Sequence, residues 1–140
     1  MDIPEARRRV RAAIEQARRD AAGRRARSEA ASRAYEEFLA ARAVPAFNTL
    51  ASALAGEGHR FKVFTPAGSV RLSAERSPDD YVELTLDTSE DPPHVLARTS
   101  TSRGRRSLTR ERPMRGAVSD LTEEDVMDFV LAELTPLLER

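Results

Sequence analysis

The chain has 140 residues, enough for one domain with one modest core and too few for a separate catalytic or cofactor domain. Its 23 basic and 23 acidic residues cancel, and without cysteine it can form no disulfide, thiolate metal site, iron–sulfur cluster or cysteine nucleophile. Hydrophobic residues make up 40% and aromatic residues 5%, so the chain is expected to fold with part of its length solvated. No apolar run approaches the roughly 20 residues of a bilayer span, and the N-terminus lacks the short apolar core of a secretory signal. A cytoplasmic location and no membrane association are the expectation.

The zero net charge hides alternating blocks. Residues 1–34 carry ten Arg against five acids, 78–97 carry six acids and no base, 98–115 carry seven Arg against one acid, and 116–140 carry seven acids against one Arg.

The first element is a long helix. Asp2 is a suitable cap ahead of Pro4, and no breaker follows until Gly23. Val10, Ile14, Ala17, Ala21, Arg24, Ser28, Ala31, Tyr35, Phe38 and Arg42 recur at alternating spacings of four and three, a heptad seam. Most of the seam is Ala and Ser, which bury little area, so the helix needs a partner surface. From Pro4 to Val44 it would extend for roughly 60 Å, longer than so small a domain is wide. Its flanks are charged, notably at Arg7-Arg8-Arg9, Arg18-Arg19 and Arg24-Arg25.

Val44-Pro45 predicts a kink or restart, after which Phe47, Leu50, Ala51 and Leu54 form a second, larger apolar stripe ended by Gly56-Glu57-Gly58. Residues 1–44 are thus expected to be a helical extension and 45–140 the compact domain. From His59 the period falls to two, predicting strands near 60–65, 69–75, 80–87, 94–101 and 105–112. Short turns between them imply an antiparallel meander. Val70, Leu72, Val82, Leu84 and Leu86 form the inward rows, while Tyr81, Glu83, Thr85 and Asp87 take the wetter face. Thr122 caps a final helix with Glu123, Glu124 and Asp125 in its first turn. Val126, Phe129, Val130, Leu134, Leu137 and Leu138 form its apolar stripe, and Pro136 is expected to kink or fray its end. The fold class is α+β, with the C-terminal helix packed on the sheet.

Nothing in the residues marks a catalytic centre. His59 and His94 stand 35 positions apart, too few ligands for a recognisable metal site, although Asp91 lies three residues before His94. No nucleophile elbow and no glycine-rich phosphate loop occurs. The acidic pairs fall in predicted turns or at a helix N-terminus, where negative charge serves structure. The reading is therefore non-enzymatic, with no catalytic residue, no cofactor and no metal.

Two functions compete. The first is an interaction or adaptor protein, a homodimer through Val10, Ile14, Ala17, Ala21, Ala31, Tyr35 and Phe38, whose sheet domain binds a protein partner. The second is a nucleic-acid-binding accessory protein using Arg-rich surfaces on phosphates. Arg71 and Arg98 have acids to pair with across strands, whereas Arg103, Arg105, Arg106 and Arg110 cluster about one turn with only Glu111 near, making them the candidate partner-binding residues. Zero net charge and acidic blocks on either side of this cluster favour the protein partner over a polyanion.

Overall fold

The computed structural model describes residues 1–139. One helix occupies residues 3–56, made of α1 (Ile3–Phe38), a π-helical turn (Leu39–Ala43) and α2 (Val44–Gly56). Five strands follow as an antiparallel meander in the order β1 (Phe61–Phe64), β2 (Val70–Ala74), β3 (Tyr81–Asp87), β4 (His94–Arg103) and β5 (Arg106–Pro113). A short 3₁₀ turn leads into α3 (Glu123–Leu138). The α+β class, the meander and the C-terminal helix against the strands are all as the residue pattern implied.

The Asp2 carboxylate accepts the Glu5 amide at 2.9 Å, and Thr122 and Asp125 form a reciprocal capping box on α3. Pro136 neither ends nor frays α3, because the turn beyond it is held by Leu137 and Leu138 on the core.

Pro45 also behaves otherwise than as a break. The Val44 amide reaches back to the Leu39 carbonyl, so the turn before the proline widens by one residue and the helix continues. That widening removes the clash between a proline ring and the carbonyl four residues back. It also corrects a phase error. At 100° per residue, the stripe of Tyr35 and Phe38 and the stripe of Phe47, Leu50 and Leu54 would be about 120° apart on a straight helix. One extra residue turns α2 back by about 100°, so both stripes face one core.

The core lies between the inner face of the sheet and the two helical segments. Val70, Leu72, Val82, Leu84, Val95 and Ala97 supply the sheet side. Phe38, Phe47 and Leu50 come from the long helix, with Val126, Val130 and Leu134 from α3. Within Ile3–Gly56 one stretch is apolar and long enough to span a bilayer by length and composition, with a mean hydropathy of 1.3, contrary to the expectation that no run came near. The buried residues of this helix, from Tyr35 to Leu54, form the wall of the core.

Register places Tyr81, Glu83 and Thr85 on the outer face, as the alternation required, with Glu83 opposite Arg71 and Arg98. Glu83 is nonetheless covered, because the end of α1 and the β1–β2 loop wrap over that corner. Phe129 is only partly buried. The Arg112 guanidinium lies over its ring at 4.3 Å, so its outer side faces a charge rather than the core.

Candidate interaction surfaces

The first surface is the outer part of α1. Every residue from Arg7 to Asp20 is exposed. Farther along, Arg27 makes a two-pronged contact with Asp91 in the β3–β4 loop, its Nε and one terminal nitrogen each 2.8 Å from a carboxylate oxygen. That hydrogen bond to Arg27 holds the Asp91 carboxyl below its ordinary value. Asp91 therefore serves the helix, and His94 faces Asp87 instead, at 3.9 Å across the β3–β4 ladder.

The overhang carries large apolar side chains in water: Ile3 is 74% exposed, Val10 57% and Ile14 46%. They share one side of the helix with Ala6, and Arg7, Arg11 and Arg18 border them. Ala17 is exposed, while Ala21 and Ala31 are partly covered. The two aromatic members of the seam have a different place. Tyr35 and Phe38 are buried in the core of their own chain, so the open seam ends before them. The Tyr35 hydroxyl donates to the Gly68 carbonyl at 2.8 Å, and burial pushes its pKa well above the usual phenol range. Heptad spacing alone could not separate these residues from Val10 and Ile14, since only the folded sheet shows where the helix gains a neighbour.

A groove of about 1010 Å³ opens where the helix meets the outer corner of the sheet, between Ser32, Leu39 and Val44 on one side and Pro66, Thr85 and Leu86 on the other. The Arg71–Glu83 ion pair, 2.6 Å long, closes its floor, with Arg71 stacked on Tyr81 at 3.9 Å. Ile3, Ala21 and Leu39 are spaced by eighteen residues, five full helical turns, as are Ile14 and Ser32. The open stripe of the overhang is therefore collinear with the helical wall of this groove.

The second surface is the β4–β5 ribbon. Its two-residue loop, Gly104-Arg105, has Gly104 at φ +62° as the first central residue and Arg105 at negative φ, the backbone signs of a type II′ hairpin turn. The ladder of β3 with β4 stops at Tyr81 opposite Ser100, while β4 and β5 stay paired for three more rungs to Arg103 opposite Arg106. Ser102 anchors the base of this extension, its amide donating to Asp80 at 2.6 Å.

The four candidate arginines divide. Arg103, Arg105 and Arg106 are exposed, and their side chains make no hydrogen bond or ion pair with another described residue. Glu111, the one nearby acid, is taken by Arg98 at 2.9 Å. Arg110 lies on the inner side and reaches Glu133 of α3 at 2.6 Å. Arg112 comes within 2.7 Å of the other oxygen of Glu133, without the alignment of a hydrogen bond. Glu133, which no sequence signal distinguished from the other acids of α3, is 1% exposed and ties the edge strand to the helix.

Among the described residues, no group of three or more His, Cys, Asp or Glu side chains is gathered as a metal site. The architecture is that of an α+β domain with a long exposed N-terminal helix. Comparison with family models, with curated proteins and with solved structures finds no match.

Proposed function

We propose that the chain is a non-enzymatic interaction protein, which pairs with a second copy through the overhang of α1 and offers its sheet domain to a protein partner. The observation that carries this reading is the open stripe of Ile3, Val10 and Ile14 on a helix with no domain beneath it. Charge favours a parallel pair. In that arrangement Asp20 of one copy faces Arg25 of the other, while Arg11 and Arg18 face alanines. An antiparallel pair would set Arg11, Arg18 and Arg25 against one another. The usable seam runs from Ile3 to about Arg24, three heptads, short enough for assembly to depend on concentration.

Nucleic-acid contact is the second reading. The unpaired Arg103, Arg105 and Arg106 favour it, and the acidic residues 78–97 and 116–140 oppose a long polyanion across the domain.

Light scattering at tens of micromolar should give twice the 15.5 kDa mass of one chain. Changing Val10 and Ile14 together to Asp should return the mass to one chain with the thermal transition of the domain preserved. A wild-type chain that remains single at that concentration overturns the assembly.

A further inference from the structure

The outer edge of β5 is open, and its chemistry specifies what can pair with it. All eight residues of β5 are exposed, whereas the opposite edge strand, β1, has only four residues and packs against α2. The Met114 amide donates to the Val95 carbonyl at 2.9 Å. Counting back in twos along the β4–β5 register, Arg112, Arg110, Leu108 and Arg106 turn their backbone groups towards β4. Ser107, Thr109 and Glu111 therefore turn N–H and C=O outward, three consecutive unfilled rungs of a ladder. Pro113 occupies the next outward position, where its missing N–H costs the sheet nothing.

The side chains along this edge are sorted by face. Arg106, Leu108, Arg110 and Arg112 lie on the inner side, because their ladder partners Thr99 and Ala97 do. Ser107, Thr109 and Glu111 lie on the outer side. A strand added to the edge would thus set every second side chain beside a row of arginines. Arg110 and Arg112 keep donors free beyond those aimed at Glu133, with 62% and 50% of their side chains exposed.

From this we infer that β5 accepts an extended peptide of another protein by strand addition, with an acidic residue at every second position to meet Arg106, Arg110 and Arg112. The inference deepens the reading of the sheet domain as the partner-binding unit. A second copy of β5 does not fit, since an antiparallel pair centred on Thr109 sets Arg106 against Arg112 twice. Glu111 on the outer row disfavours a peptide acidic on both faces. Arg103 at the end of β4 and Arg105 in the loop extend the positive field past the last open rung.

A labelled acetyl-(Glu-Thr)4-amide peptide tests this in fluorescence anisotropy at about 150 mM salt, an ionic strength that screens unpaired surface charge. It should bind, while (Lys-Thr)4 and a (Glu-Thr)4 peptide N-methylated at alternate residues should not. Hydrogen exchange of the Ser107, Thr109 and Glu111 amides should slow on binding. Replacing Arg103, Arg105 and Arg106 with Ala should weaken binding about tenfold, through loss of the Arg106 ion pair and of the field of Arg103 and Arg105, without moving the thermal transition. Thr109→Pro should abolish binding while retaining the far-ultraviolet spectrum, because its N–H points away from β4.

Equal binding of the N-methylated peptide, or unchanged affinity in the triple variant, overturns the inference. So does tighter binding of a short DNA duplex than of the peptide under the same conditions. Mass measurements on the same samples keep the result separate from helix assembly, since peptide binding by a single chain would remove only the dimer.

Discussion

The two ends of the long helix are built from similar residues and meet opposite environments. From Arg7 to Asp20 each side chain is in water, and from Tyr35 to Leu54 one face closes the core. Small apolar residues recur along both. The far end carries Phe38, Phe47 and Leu50 and has the sheet beneath it, whereas the near end carries Val10 and Ile14 and has nothing. Amphipathic spacing shows that a helix has a side to cover, and it does not name what covers it.

The largest effect that would test this contrast is a truncation at each end. Phe38→Ala or Phe47→Ala should lower stability by about 3–5 kcal/mol, read from urea midpoints, because each leaves a cavity in a closed core. Ile14→Ala should change the unfolding of the single chain by less than about 0.5 kcal/mol, its effect being confined to assembly. If Ile14→Ala proved as damaging as Phe38→Ala at a concentration where the chain is single, the overhang would have to fold back on the domain.

A middle-sized effect sharpens the same contrast at the sheet. Glu133 is a charge on the covered face of α3, between the buried Val130 and Leu137, and its partners come from the edge strand. Glu133→Gln keeps the shape and removes the charge. It should cost about 1–3 kcal/mol and speed amide exchange along β5, since both arginines can return to water once released. No change in β5 exchange would mean that the strand is held by its ladder with β4 alone.

The smallest effect concerns the clasp between the two regions. Asp91 is held below its ordinary 3.8 by the Arg27 hydrogen bond. A folded-state value depressed in this way gives a contribution that is complete above the ordinary carboxylate range and is lost as the pH falls through the depressed value. The clasp should therefore be insensitive to pH near neutrality and open only in strong acid. Amide exchange of residues 24–31 at several pH values would show this, and a release near neutrality would mean that the Arg27–Asp91 pair is not what holds the clasp. Asp91→Asn should loosen these residues at every pH above that acid release, without altering the core.

Much of the fold could be read in advance because period is a local property. The change from 3.6 to 2 at His59, the Gly and Pro punctuation between strands, and the Thr122 cap each depend on neighbours within a few residues. The Arg71–Glu83 pair was legible for the same reason, since strand register follows from short turns. The surfaces were less legible. Arg103, Arg105, Arg106 and Arg110 form one cluster along the chain, yet Arg110 lies on the inner side and is bound to an acid 23 residues away.

The sequence by itself determined the α+β class, the strand order and the caps, because hydrogen-bonding geometry and side-chain alternation act over single turns and strands. Tertiary structure decided which part of the heptad seam remains open, that Pro45 is absorbed by a widened turn, and that Glu133 fastens β5. Each of these depends on what lies across the core from a residue, and proximity between segments far apart in the chain is created only by folding.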